Sequence, residues 1–178
     1  MKTILALLAA AALAASASVA QPFPQDTAKP SRHIDTLAWL VGGVWTADAS
    51  QMGGGMQRIE TRYTWSDNNA YVRFNTHFIS DKATMRTYDG QFFWNPDQSA
   101  LAMWYMDSRN VIIAGPVQVD GDVMQLTFRA TDFAGKMADL RVDVTRKTND
   151  HYTWTLLEKK SEAWTTLASL EYLRTAEK

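Results

Sequence analysis

From residue 56 almost to the C-terminus the chain is a succession of short runs in which apolar and polar side chains alternate, each closed by a turn signal. Period-two alternation is the geometry of a strand with one buried face, because successive side chains point to opposite sides of the backbone. In 56–66 (MQRIETRYTWS), Ile59, Tyr63 and Trp65 share one face and Arg58, Glu60 and Arg62 the other. In 71–79, Val72, Phe74 and Phe78 oppose Arg73, Asn75 and His77. Runs at 85–94, 100–106, 111–119, 123–130, 137–146, 151–158 and 163–174 continue the series, and a further one opens at Trp45.

The separators are chemically specific. Asp67-Asn68-Asn69 tolerates left-handed backbone. Pro96 in Asn95-Pro96-Asp97-Gln98 presets the angle of a type I turn. Asp120-Gly121 is the clearest hairpin signal. Thr148-Asn149-Asp150 and Lys159-Lys160-Ser161-Glu162 divide the last three runs, and Gly115-Pro116 inside 111–119 predicts a bulge or an edge, since Pro has no N–H for a sheet ladder. About ten strands joined by short turns predict an all-β fold, an antiparallel up-and-down β-barrel. Closing the sheet on itself removes the exposed edges such strands would otherwise leave. Only 32–41 has a helical pattern, with Ile34, Leu37, Leu40 and Val41 on one face and Gly42 placed to end it.

The N-terminus carries one positive charge at Lys2, an apolar run over 4–15 and small residues at Ser18 and Ala20. These are the parts of a secretory signal peptide cleaved after Ala20. The run is too short and Ala-rich for a bilayer span, which takes about 20 apolar residues. The expected organisation is a signal peptide over 1–20, a Pro-rich flexible lead-in over 21–32 and one barrel domain over 33–178, periplasmic or secreted. The chain has no cysteine, so the domain relies on its core rather than on disulfides. Its formal net charge is −1, and loss of Lys2 makes it −2. A near-neutral surface with scattered arginines gives no electrostatic case for a nucleic-acid partner. A membrane span in the mature chain is likewise not expected.

The run LAWLVGGVW, followed by ETRYTW, YDGQFFWNPDQ, YMD and the ending Tyr172-Leu173-Arg174, resembles the calycin superfamily, which includes the lipocalins, and within it a family of bacterial exported calycin-like proteins. Tyr88-Asp89-Gly90 and Asp107 carry the narrower likeness. The resemblance covers about 34–174 and implies a short N-terminal helix plugging one end of the barrel through Leu37, Trp39 and Leu40. It further implies that Trp45 closes that end with Arg174 packed across its ring, a structural role. It implies no particular activity.

No catalytic motif is found. Gly53-Gly54-Gly55 lacks the Lys-Ser/Thr and following helix of a phosphate-binding loop and reads as a flexible first hairpin, long for this kind of barrel. Glu60 and Asp89 are two carboxylates that an interior could hold, although Glu60 shares a strand face with Arg62 and also suits a surface pair. His33, His77 and His151 show no metal-ligand spacing. Some calycin-like barrels hold haem through one histidine, and on that resemblance His77 or His151 is the candidate axial ligand. The aromatic load is the stronger signal. Tyr63, Phe74, Tyr88, Trp94, Tyr105, Phe128, Trp154 and Tyr172 lie on predicted strands and are the expected ligand-binding residues. Barrels of about eight strands can fill with side chains, whereas wider ones leave space. The function expected is therefore binding of a small hydrophobic or amphipathic molecule in a barrel cavity, with a haem or enzymatic use of the same cavity as the alternative.

Overall fold

A computed structural model describes residues 32–131 and 136–176. The expected signal peptide and positions 21–31 of the lead-in lie outside the described residues. A 3-10 helix, Arg32–Leu40, precedes ten strands: β1 (Val44–Asp48), β2 (Met56–Trp65), β3 (Tyr71–Ser80), β4 (Thr84–Asn95), β5 (Ala100–Asp107), β6 (Ile112–Asp120), β7 (Val123–Thr131), β8 (Met137–Thr148), β9 (His151–Lys160) and β10 (Ala163–Thr175). Each strand pairs antiparallel with its neighbours in sequence, and β1 pairs with β10 to close the barrel. The up-and-down barrel expected from the alternation is thus the fold, with an architecture consistent with a calycin-like barrel.

Two local features depart from the sequence reading. Lys159 and Lys160 continue β9 instead of turning, because Ser161, with φ of +55°, and Glu162 suffice for the reversal. Gly115-Pro116 forms neither a bulge nor an outer edge. The strand β6 pairs with β5 through Pro116, but its pairing with β7 covers only Val117 to Asp120. The β6–β7 ladder therefore opens where Pro116 has no N–H to offer. The strands stay close there because residue 115 is glycine: an added Cβ would lie 2.0 Å from the Thr127 carbonyl oxygen.

The N-terminal segment is a nine-residue 3-10 helix, long for a type usually limited to three or four residues. Its sequence explains the choice. Ile34, Leu37 and Leu40 recur every third residue and are fully buried, and three residues per turn puts all three on one line. That line seals one end of the barrel, where β1 begins and β10 ends. At the opposite end the strands leave a mouth. On its rim stand Met85, Met106, Val111, Ile112 and Met137, large apolar side chains that remain exposed.

Candidate ligand cavity

Between the plug and the mouth the barrel encloses a cavity of about 550 Å³. Its wall follows directly from the pleat: odd positions of β2 and β5 and even positions of β3, β4, β7, β8 and β9 point inward. One side of the wall is aromatic. Phe74 meets Phe92 at 5.1 Å between ring centroids and Tyr105 at 6.2 Å, and Tyr105 in turn meets Phe128 at 6.4 Å. Gly90 lies between Phe74 and Tyr105, where a Cβ would come within 2.4 Å of the Trp104 carbonyl oxygen and 2.6 Å of the Phe74 ring. The other side is aliphatic, built by Met124 and Leu126 on β7, Leu140, Val142 and Val144 on β8, and Leu156 on β9.

The floor, next to the plug, carries hydroxyls. Thr61 and Thr76 share a hydrogen bond of 2.9 Å across β2 and β3. Tyr152 stacks on Tyr172 at 4.7 Å and also packs on Trp45. Burial pushes the Tyr63 phenol up to about 12, partly offset by its hydrogen bond with Tyr152. Burial likewise holds Tyr152 and Tyr172 far above the ordinary phenol range, with the Thr61 hydroxyl partly relieving Tyr172. These groups are neutral hydrogen-bonding partners at any physiological pH.

Charge is confined to the mouth. Among the lining residues only Arg86, Asp107 and Arg109 are ionic. Asp107, at the end of β5, is almost completely buried. Its carboxylate accepts from the backbone N–H groups of Arg109 and Val111 at 2.8 and 3.1 Å, and pairs with the Arg109 guanidinium at 2.6 Å. Desolvation would raise its pKa, but the Arg109 guanidinium and those two N–H groups together outweigh it and hold the carboxyl below its usual range. Arg86 donates from Nη1 to the Tyr88 hydroxyl at 3.2 Å.

Seven of the eight aromatic residues expected at a binding site line this cavity: Tyr63, Phe74, Tyr88, Tyr105, Phe128, Trp154 and Tyr172. The eighth, Trp94, does not. It has the inward parity of β4 but lies at the plugged end, stacked on His33 with ring centroids 3.9 Å apart. Trp45 and Arg174 meet at the plugged end. Trp45 is fully buried, donates from Nε1 to the Leu40 carbonyl at 2.7 Å, and has the Arg174 guanidinium 4.4 Å from its ring centroid. Arg174 also donates to the carbonyls of Trp39, Val41 and Asn149.

The two candidate haem histidines stand outside the cavity lining. His77 lies between inward Thr76 and Phe78 and so points outward, and His151 pairs with Glu171 on the outer surface at 2.6 Å. Neither is among the residues that line the cavity. Glu60 and Asp89 are also outside. Glu60 pairs with Arg58 at 2.8 Å and more loosely with Arg62 at 4.0 Å, and Asp89 accepts from Asn75. Sequence reading missed the mouth group Arg86, Asp107 and Arg109 as a unit, together with the aliphatic half of the wall. The alternation of β7 and β8 was the signal available for the latter. Among the described residues no three His, Cys, Asp or Glu side chains cluster as metal ligands, and no helix is long and apolar enough to cross a membrane.

Fold and site together define a class: a closed ten-stranded antiparallel barrel, plugged at one end, with an apolar cavity open at the other. The chain matches no protein-family profile and no curated protein.

Proposed function

We propose that this chain is an exported, lipocalin-like binding protein that takes a small hydrophobic or amphipathic molecule into its barrel. The observation that carries the reading is the cavity of about 550 Å³ with apolar walls, neutral hydroxyls at its floor and ionic groups only at its mouth. Binding sites for small molecules are typically concavities of about 300–1,000 Å³, mostly apolar with a few polar groups that orient the ligand. A chain selected only for stability gains nothing from such a void, because unfilled space forfeits packing contacts. The reading as a carrier needs no catalytic group, and the cavity lining contains neither His nor Cys.

The test is native mass spectrometry of the full-length chain expressed with its own leader in a bacterial host and recovered from outside the cytoplasm. The expected result is a discrete excess mass that vanishes on denaturation, on a polypeptide that begins at Gln21. Equal native and denatured masses, with no change in tryptophan fluorescence on adding a series of medium-chain amphiphiles, would defeat the binding reading. A mass retaining residues 1–20 would defeat cleavage after Ala20.

A further inference from the structure

The mouth of the cavity is not electrically neutral. Of its three ionic side chains, Asp107 is committed to Arg109, which grips it through Nε at 2.7 Å and the terminal nitrogen at 2.6 Å. That pair cancels, and the two backbone N–H groups that Asp107 also accepts fix its place. Arg86 is left over. No described carboxylate forms an ion pair with it, and its one hydrogen bond goes to the neutral hydroxyl of Tyr88. The cavity lining therefore carries one uncompensated positive charge, placed where the apolar interior meets solvent.

Around that charge the groups are arranged to receive rather than repel an anion. Tyr88 pairs in register with Asp107 across β4 and β5, and its ring stands 5.0 Å from that of Tyr105. Burial keeps the Tyr105 phenol protonated, although both Arg86 and Arg109 lie close enough to favour its ionised form. A negative group seated there meets one free guanidinium, the open side of a second, and phenol hydroxyls that can donate. Inward from the same point run Phe74, Phe128 and the aliphatic strands β7 and β8.

We infer that the ligand of this barrel is a monoanionic amphiphile, a carboxylate with an apolar tail, held by Arg86 at the mouth with the tail directed to the floor. A carboxylate fits better than a phosphate monoester, which carries close to two charges against the single uncompensated one. The planar guanidinium also matches a carboxylate through two parallel hydrogen bonds. Because Arg86 is exposed, the head stays partly hydrated and escapes the penalty of burying an ion. A cationic head meets net positive charge at the same place.

This rests on the cavity-binding reading, and the experiment separates the two. Residues 21–178 of the wild type, Arg86→Gln and Arg86→Lys are titrated with dodecanoate, dodecan-1-ol and dodecyltrimethylammonium below their micellar concentrations at pH 8. Tryptophan fluorescence, to which Trp154 in the cavity wall contributes, and calorimetry report binding. Wild type is expected to prefer dodecanoate over dodecanol by about tenfold or more, the scale of one charge-assisted hydrogen bond, and to bind the ammonium worst. Arg86→Gln is expected to lose that preference while keeping its dodecanol affinity within about twofold, since the alcohol makes only neutral contacts. Arg86→Lys is expected to retain part of it. Equal wild-type affinities for acid and alcohol would overturn the headgroup assignment and leave the cavity reading standing, an outcome read from the wild type alone. A preference that survives Arg86→Gln would overturn the role of Arg86. Failure of all three compounds to bind would overturn both readings.

Discussion

Arg174 does for the plugged end what water does for an open one. Its guanidinium satisfies carbonyls of Trp39, Val41 and Asn149 while covering the face of Trp45. Two of those carbonyls sit at the end of the 3-10 helix, where the backbone has no partner of its own. Replacing Arg174 by Ala is expected to destabilise the barrel by about 2–4 kcal/mol, the sum of orphaned acceptors and the lost ring contact. Lys at this position is expected to recover less than half, because one ammonium cannot span three acceptors and stack at once. Urea unfolding of the two variants measures this, and a loss below about 0.5 kcal/mol for Ala would reduce the contact to an ordinary surface pair. The pairing was implied only by the resemblance that LAWLVGGVW and the ending Tyr172-Leu173-Arg174 carry. Trp94 shows where residue-level reading fails. It has the inward parity of β4, but parity reports which face a side chain takes and says nothing of its depth along the barrel axis. His77 shows the converse, because its place opposite Val72, Phe74 and Phe78 already put it outside.

Strands were the most legible elements, since alternation and turn residues act locally. The 32–41 pattern was less so. Ile34, Leu37 and Leu40 fit an α-helical face loosely and a 3-10 line closely, and only packing against the barrel end chooses between them. The β5–β6 connection was illegible as a functional element, because Asp107 acts through backbone N–H groups that its own turn brings round. That turn makes a prediction. Asp107→Asn keeps the shape but removes the charge that binds Arg109 and both N–H groups, and is expected to destabilise by about 1–3 kcal/mol at pH 7. The sign with pH follows from the depressed folded pKa. The unfolded carboxyl titrates near about 3.9, so the stabilisation is fully present above that pH and is lost as pH falls through the lower folded value. Wild type and variant should therefore differ at pH 7 and converge at low pH, once that folded value has been passed, in chemical denaturation. A gap that persists unchanged into that acid range would assign the effect to packing and not to charge.

At the scale of the whole molecule the barrel separates neutral polarity from charge: hydroxyls at the floor, ions at the mouth and on the outer surface. Ten strands open the space, and buried phenols line its floor, while the one buried carboxylate, Asp107, is held at the mouth by Arg109. This arrangement has a global consequence at high pH. Tyr63, Tyr105, Tyr152 and Tyr172 all have phenols raised chiefly by burial. In the unfolded chain each ionises near about 10, whereas in the barrel Tyr63 is pushed up to about 12 and burial holds Tyr105, Tyr152 and Tyr172 above the ordinary phenol range as well. Stability is thus intact below pH 10 and falls as pH rises from there towards the folded values. One pH unit above the unfolded value the loss is on the order of 1 kcal/mol per phenol, so the four together remove a sizeable part of a domain stability of about 5–15 kcal/mol. The fold is therefore expected to give way before these phenols titrate in place. Absorbance at 295 nm should show their ionisation appearing in one cooperative step between pH 11 and 12, coincident with loss of the near-ultraviolet circular dichroism of the packed aromatics. Gradual ionisation of all tyrosines from pH 10 with that signal preserved would mean water reaches the floor, and that the cavity is hydrated and wider than its walls imply.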